Sequence, residues 1–143
     1  MSTARPLHIL LVEDDQIDQM NVKRAFERNK IMNPLYVAEN GVEALEMLRS
    51  NGAPAQVPRD RRLVLLDLNM PKMGGIEFLR ELRADPELKL TPVVVLTTSR
   101  DERDKVNAYG FNVAGYLVKP VTFPSFMELT ATLNKYWALV EMP

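Results

Sequence analysis

The sequence predicts an α/β fold in which a five-stranded parallel sheet lies between two layers of helices, a three-layer αβα sandwich. Two observations carry this prediction. Five short apolar runs alternate with five segments whose apolar residues recur at the spacing of an α-helix. The apolar runs contain no alternating polar residues, as expected of strands that are buried on both faces of a parallel sheet. The 143 residues are interpreted as one domain over 7–143, preceded by a tail of residues 1–6.

The strands are predicted from the apolar runs and from the residues that end them. The central run is the most apolar, because four aliphatic residues from Leu63 to Leu66 come directly before Asp67. Pro71 and Gly74 then prevent the strand from continuing. The five predicted strands cover residues 8–12, 35–38, 63–66, 93–96 and 115–118.

The helices are predicted from helical periodicity and from capping residues. Asp15 is a suitable N-cap for the first helix and Asn40 for the second, and Asn112 suits the left-handed conformation at the exit of the fourth. His8 is predicted to be a structural residue at the start of a strand, and residues 51–62 a surface loop. The predicted helices cover residues 16–29, 42–50, 75–84, 101–109 and 123–139. The residues predicted to face the sheet are Val22, Ala25, Phe26, Val42, Leu45, Leu48, Ile76, Leu79, Leu82, Phe126, Leu129, Leu133 and one of Tyr136 or Trp137.

The composition excludes several classes of function. One histidine and no cysteine leave no residues for a serine-type triad, a histidine or thiolate metal site, or a disulfide framework. The net charge of −1 does not support a broad nucleic-acid surface. The sequence shows no signal-peptide pattern and no apolar run long enough to span a bilayer. We therefore expect a cytoplasmic protein that binds neither nucleic acid nor membrane.

Polar side chains follow the ends of the predicted strands. These residues are Glu13, Asp14, Asp67, Thr97 and Lys119. Each alone has a structural explanation, since an acid here could cap a helix, the threonine could end a strand, and the lysine could be solvated. The carboxyl ends of parallel strands meet at one edge of the sheet, however, where ligands of such folds bind. Their joint occurrence therefore predicts a functional site.

The residue types predict the chemistry of that site. Three carboxylates at one point repel each other unless a cation lies among them. With no cysteine and one distant histidine, that cation is a hard, oxygen-liking ion, and Mg²⁺ is the natural choice. A carboxylate, Mg²⁺, a lysine and a hydroxyl together suit phosphoryl transfer, with the aspartate as nucleophile and the lysine and threonine neutralising charge.

These motifs resemble those of the receiver domains of two-component response regulators. The match covers residues 7–139 and depends on Glu-Asp-Asp at 13–15, Asp67 with Pro71 and Gly75, Thr97, and Lys119 with Pro120. More narrowly, Leu-Leu-Asp-Leu-Asn-Met-Pro at 65–71 and Tyr-Leu-Val-Lys-Pro-Val at 116–121 look like the small stand-alone regulators that partner phytochrome-type histidine kinases. The resemblance implies a flavodoxin-like, doubly wound (βα)5 fold with strand order 2-1-3-4-5.

The resemblance also implies residue roles. Asp67 would accept a phosphoryl group from a histidine kinase, and Lys119 would bind that group. Asp14, Asp67 and the backbone carbonyl of Asn69 would ligate Mg²⁺, with Glu13 acting through water. Thr97 and Tyr116 would be the switch residues that reshape the surface, and the Lys119–Pro120 peptide bond would be cis. Such a protein is not an enzyme in the usual sense, because it promotes only its own phosphorylation and slow dephosphorylation.

The path of the attacking water is a separate prediction. Asn69 and Ser99 each follow a strand end and are expected to flank the phosphoryl group. Neither carries a carboxylate that could orient water as a base, so these two positions are expected to tune the rate of dephosphorylation.

Two other functional classes share single features with this sequence. A phosphatase or mutase with an aspartate nucleophile would resemble Asp-x-Asp, but Asn69 stands at the second carboxylate position and no cap insertion is present. A DNA-binding regulator would need a helix-turn-helix, and only one predicted helix follows Thr122.

The aromatic-rich end of the chain has two interpretations. Phe123, Phe126, Tyr136 and Trp137 could complete the core of the domain, or they could line a homodimer interface built from the last two helices and the last strand. Tyr136 and Trp137 are adjacent and about 100° apart on a helix, so both cannot lie at the centre of one apolar face.

Overall fold

Five strands and five helices alternate along the chain in the computed structural model, which describes residues 6–49, 55–68, 73–98 and 100–139. The strands are β1 (His8–Val12), β2 (Leu35–Ala38), β3 (Arg62–Asp67), β4 (Val93–Thr97) and β5 (Gly115–Val118). The helices are α1 (Gln16–Arg28), α2 (Gly41–Leu48), α3 (Gly75–Ala84), α4 (Arg100–Ala108) and α5 (Phe123–Leu139). The bounds of the sequence-predicted elements differ from these by no more than two residues.

The sheet is parallel throughout and has the strand order β2-β1-β3-β4-β5. This confirms the doubly wound, flavodoxin-like topology. The chain reverses its direction of winding between β1 and β3, which pair with Val12 opposite Leu66. In sheets of this kind the crevice at the carboxyl ends of those two strands is the usual ligand site.

Successive residues of each strand point to opposite faces and supply two separate cores. One core lies between the sheet and helices α2, α3 and α4, and includes Leu10, Val64 and Phe78. The other lies between the sheet and helices α1 and α5, and includes Leu63 and Phe126. This alternation explains why the strands are apolar on both faces between their ends, and it confirms the three-layer arrangement.

The end of α5 shows which of Tyr136 and Trp137 faces the sheet. Trp137 is buried, contacts Phe26 with ring centroids 6.1 Å apart, and donates its indole N–H to Asn134 at 3.0 Å. Tyr136 is only half-buried. Trp137 is therefore the member of the pair that completes the core. The segment 140–143 lies outside the described residues.

Most capping and core predictions are confirmed, and a few details are corrected. Asp15 and Asn40 cap their helices, and Asn112 has a φ of 55°. Val42 was expected to face the sheet but is 45% exposed, because the inner face of this short helix is filled by residues 44, 45, 47 and 48.

Two corrections concern the backbone. Arg62 belongs to β3 rather than to the preceding loop, and its buried guanidinium donates hydrogen bonds to the carbonyls of Leu48 and Val57 at 3.1 and 3.2 Å. The Lys119–Pro120 peptide bond is trans and not cis, the isomer that X–Pro bonds prefer by about 0.5–1 kcal/mol. Among the described residues, no helix combines the length and apolar character needed to cross a membrane.

Candidate phosphoacceptor site

Three carboxylates meet at the carboxyl ends of β1 and β3. Glu13 directly follows β1, and Asp67 is the last residue of β3. One oxygen from each of Glu13, Asp14 and Asp67 lies within 4.8 Å of the others. Glu13 and Asp67 are each only 2% exposed, and Asp14 is the more exposed member. The structure thus brings together the three acidic residues that the sequence predicted as metal ligands; we refer to them below as the acid cluster.

Lys119 is the cation that this structure provides to the acid cluster. Its Nζ lies 3.0 Å from Asp67 Oδ2, 3.1 Å from Glu13 Oε1 and 3.3 Å from Asp18 Oδ2. The side chain reaches this position because the backbone N–H of Lys119 donates to the carbonyl of Thr97 at 2.8 Å, which extends the β4–β5 ladder by one hydrogen bond. One ammonium group is therefore shared by three carboxylates.

Burial and the neighbouring charges shift the pKa values of Glu13 and Lys119. Burial, followed by the charge of Asp67, raises the pKa of Glu13 to about 8, although the Asp15 N–H and Lys119 act in the opposite direction. Burial lowers the pKa of Lys119, but its hydrogen bond and attraction to Asp67, and then its attraction to Glu13, outweigh burial and raise the pKa above its usual value. The site binds its lysine strongly and still lacks positive charge.

The first turn of α1 fixes the acid cluster. The Asp15 N–H donates to Glu13 Oε2 at 3.1 Å, while the Asp15 carboxylate caps the helix by accepting from the N–H groups of Ile17 and Asp18. The side-chain amide of Gln19 is buried and donates to the Glu13 carbonyl at 2.7 Å. The backbone and the side chain of Glu13 are thus both held by the helix that follows it.

Asp18 and Gln19 were not predicted as site residues. A signal for them was present, since an N-cap at Asp15 starts a helix at the same sheet edge and places Asp18 in its first turn. The direction in which each side chain of that turn points depends on how the helix is rotated over the sheet. The sequence pattern indicated only its apolar face.

The two predicted switch residues lie on neighbouring strands. Thr97 is the buried last residue of β4. Tyr116 lies on β5, and its hydroxyl donates to Asn107 Oδ1 of α4 at 2.6 Å, with the Arg103 guanidinium 5.4 Å from the centre of the ring. Tyr116 is therefore tied to α4 in this structure. The other two predicted site residues, Asn69 and Ser99, lie outside the described residues.

Comparisons with known proteins agree with this geometry. The family model of the response regulator receiver domain matches residues 9–131. Response regulator Rcp1 of Synechocystis sp. is 36% identical over 132 residues, which cover 92% of this chain and 89% of that protein.

Two solved structures cover nearly the whole chain. The phosphorylated cyanobacterial phytochrome response regulator RcpA has a TM-score of 0.81 and 32% identity, with 97% of this chain and 99% of the other covered. The Mn²⁺-bound form of response regulator Rcp1 has a TM-score of 0.78 and 34% identity, with 96% and 99% covered. The fold, the acid cluster and these matches lead to one conclusion: the chain belongs to the receiver-domain family of two-component response regulators.

Proposed function

We propose that this protein is a phosphoacceptor switch, in which Asp67 takes a phosphoryl group from a phosphohistidine of a histidine kinase in the presence of Mg²⁺. The observation that carries the proposal is the position of Asp67, a buried carboxylate at the end of the central strand that shares its lysine with a second buried acid. Burying two carboxylates beside one ammonium costs stability. The arrangement is therefore better explained by a role in phosphoryl transfer than by a role in stabilising the fold.

The proposed transfer needs little from the protein besides positioning and charge. An Asp67 carboxylate oxygen attacks phosphorus, the phosphorus–nitrogen bond to the donor imidazole breaks, and the imidazole keeps the electron pair and takes up a proton. The product is a mixed anhydride of phosphate with the Asp67 carboxylate. The Lys119 ammonium, 3.0 Å from Asp67 Oδ2 before transfer, is in place to neutralise the incoming oxygens. Water then hydrolyses the mixed anhydride slowly, which releases inorganic phosphate and restores the Asp67 carboxylate, and the protein turns over no other substrate.

The residues present fit a hard divalent cation. The acid cluster offers three carboxylate oxygens within 4.8 Å of one another, and oxygen is the ligand that Mg²⁺ prefers. Asp14, Asp67 and the carbonyl of Asn69 would hold the ion, with Glu13 acting through water. When bound, Mg²⁺ would supply charge that stabilises the transferring phosphoryl group. A solved relative, Rcp1, has been obtained with Mn²⁺ bound, which supports a divalent site in this chain.

The nucleophile is tested by labelling. Wild-type protein incubated with Mg²⁺ and a small phosphodonor is expected to gain one phosphoryl group that survives acid and is lost in base, as acyl phosphates are. Asp67→Asn keeps the shape of the residue and removes the nucleophile, so no label is expected. Asp101→Asn, at an exposed position of α4, is the matched control and should label at the wild-type rate. Labelling of Asp67→Asn at the wild-type rate would refute the assignment.

A kinase partner is supported by the surface around the site. Ile17 and Met20 on α1 are 70% and 59% exposed, and Val118 and Val121 beside Lys119 are 79% and 90% exposed. The Lys119–Asp18 contact holds these two segments together at the site. Exposed apolar side chains next to a reactive group suit a protein donor, and the description of the similar protein RcpA as a phytochrome response regulator favours a phytochrome-type histidine kinase. The absence of cysteine throughout the sequence favours a cytoplasmic location for this exchange.

The kinase proposal has its own test. Val121→Ser is expected to slow phosphorylation by a histidine kinase about tenfold, as truncation of an interface contact worth about 1.4 kcal/mol would do, while leaving labelling by a small phosphodonor unchanged. Met32→Ser is the control, because Met32 is 89% exposed but lies in the loop before β2, at the opposite edge of the sheet. Equal loss with both phosphodonors would locate the effect in the site itself and exclude docking.

We further propose that the protein forms a homodimer through α4, β5 and α5, and that phosphorylation changes this surface through Thr97 and Tyr116. β5 is one of the two edge strands of the sheet. A largely apolar cavity of about 140 Å³ opens between β5 and α5, lined in part by Leu117 and Tyr136. A symmetric pairing across this edge would cover both features.

Tyr136 and Trp137 provide a matched pair for the dimer. Tyr136→Ala is expected to lower the association constant with little effect on the stability of the monomer, because the side chain is only half-buried. Trp137→Ala should instead cost about 3–5 kcal/mol of folding free energy, because Trp137 is in the core. The mass of the wild-type protein, measured by analytical ultracentrifugation with and without phosphorylation, decides the question. A monomer under both conditions at high concentration would exclude the dimer.

A further inference from the structure

Among the described residues, Asp18 is the one ion-pair partner of Lys119 that lies outside the acid cluster. Its Oδ2 is 3.3 Å from Lys119 Nζ, and both side chains are largely buried, with exposures of 22% for Asp18 and 18% for Lys119. Glu13 and Asp67, the other partners, are both members of the cluster. Lys119 thus contacts two carboxylates of the acid cluster and one carboxylate outside it.

A divalent cation in the acid cluster would compete with Lys119. Its two positive charges would attract the carboxylates of Glu13 and Asp67, the same two carboxylates that hold the ammonium in this structure. Lys119 would have to give up part of those contacts when the ion enters. The energetic cost of that release depends on what remains to hold the ammonium.

We propose that Asp18 is a positioning residue that retains Lys119 when Mg²⁺ enters the acid cluster, and that it thereby strengthens Mg²⁺ binding and keeps the lysine beside the phosphorylation site. The inference rests on the function proposed above. Asp18 acts through Lys119 and touches neither the metal nor the phosphoryl group.

The position of Asp18 is fixed well enough for this role. Its backbone N–H donates to the capping carboxylate of Asp15 at 3.1 Å, in the first turn of α1. One residue further on, Gln19 donates to the carbonyl of Glu13 at 2.7 Å, which ties that turn to the end of β1. Asp18 therefore has a defined place relative to the acid cluster, independent of its contact with Lys119.

Calorimetric titration of the unphosphorylated protein with Mg²⁺ tests the proposal without any phosphodonor. Asp18→Asn is expected to weaken Mg²⁺ binding about five- to tenfold, because Lys119 loses the partner that compensates its release, and because one negative charge is removed. Asp15→Asn is the matched control for charge. It removes a charge from the same turn of α1, keeps the helix cap because asparagine caps as well as aspartate, and has no contact with Lys119. We expect Asp15→Asn to weaken binding no more than about twofold.

The same comparison in a Lys119→Met background shows whether Asp18 acts through the lysine. In that background Asp18→Asn should weaken Mg²⁺ binding no more than Asp15→Asn does. If Asp18→Asn still weakens Mg²⁺ binding more than Asp15→Asn does in the Lys119→Met background, Asp18 acts on the metal directly. If the two variants weaken binding equally in the wild-type background, Asp18 supplies only charge. Either result overturns the proposal. The comparison in the wild-type background decides alone if Lys119→Met does not fold.

Labelling of the wild type by a small phosphodonor keeps this inference separate from the proposed function. If the wild type takes no label at Asp67, the phosphoacceptor assignment itself is wrong. If the wild type is labelled and the two aspartate variants bind Mg²⁺ equally, only the role of Asp18 is wrong.

Discussion

Without Mg²⁺, the Asp14→Asn variant is expected to be more stable than the wild type. With Mg²⁺, it is expected to be less stable than the wild type. One carboxylate oxygen of Asp14 lies within 4.8 Å of oxygens of Glu13 and Asp67. The pKa of Glu13 is raised to about 8, so above that pH all three carboxylates are charged, and two unit charges at that separation repel by about 0.9 kcal/mol in a water-like dielectric. Because Asp14 is the most exposed of the three, this low value applies, and the two repulsions sum to about 2 kcal/mol.

Two effects reduce the expected gain. Lys119 forms ion pairs with the same two neighbours and offsets about half of the repulsion. The charge of Asp14 also lies just before α1, where it stabilises the helix dipole by about 0.5 kcal/mol. The net gain for Asp14→Asn is therefore about 0.5 kcal/mol, or about 2 °C in melting temperature for a domain of this size.

Mg²⁺ should reverse which of the two proteins, wild type or Asp14→Asn, is the more stable. At a concentration 100 times its dissociation constant, the ion stabilises the wild type by about 2.7 kcal/mol. A variant that binds about tenfold more weakly gains about 1.4 kcal/mol under the same conditions. The wild type then exceeds Asp14→Asn by about 0.8 kcal/mol.

The assay is thermal or urea unfolding at a pH above 8, where Glu13 is ionised, in excess chelator and again in Mg²⁺, with Asp15→Asn as the control. That control removes a neighbouring charge from outside the acid cluster and should be slightly destabilised under both conditions, because only its interaction with the helix dipole is lost. The reasoning fails if Asp14→Asn is less stable than wild type in chelator, or if both proteins gain equally from Mg²⁺.

Further predictions concern the loops beside the site. Gly75→Ala should destabilise the protein by about 1–3 kcal/mol in urea unfolding, because the added Cβ would lie 2.6 Å from the Cα of Leu68. The neighbouring Gly74→Ser should stabilise it by about 0.5–1 kcal/mol, because Gly74 is an N-cap with extended backbone and no capping side chain; a loss of stability would contradict this. Ser99→Glu and a matching Asn69→Glu are expected to change the phosphoryl lifetime, measured by loss of label, and unchanged lifetimes in both would exclude these residues from the path of water.

The fold was predictable because several independent signals agreed. Uninterrupted apolar runs indicated strands buried on both faces, and right-handed crossovers bring the carboxyl ends of parallel strands to one edge. Glu13, Asp67 and Lys119 were therefore expected to meet, and they do. The strand order was not contained in these patterns. It came from the resemblance to receiver domains, since alternating strands and helices are compatible with more than one order.

The residues that were missed share a physical reason. Arg62 looked like part of a charged loop, yet its guanidinium donates hydrogen bonds to the backbone carbonyls of Leu48 and Val57, which allows it to be buried in β3. Asp18 looked like an ordinary solvent-facing residue of α1. It nevertheless contacts Lys119, which lies 101 positions later in the chain. Both depend on partners that are distant in sequence, and periodicity carries no information about such partners.

The position of Lys119 also links Asp67 structurally to the surface at α4. Lys119 is joined to Thr97 by a backbone hydrogen bond of 2.8 Å, directly after β5. Tyr116 lies three residues earlier on the same four-residue strand and is bonded to Asn107 of α4 at 2.6 Å. β5 is an edge strand with a neighbour on one side only, so it resists displacement less than β3 or β4 does. We therefore expect a displacement of Lys119 to act on an edge strand, and that strand carries the tyrosine bonded to α4.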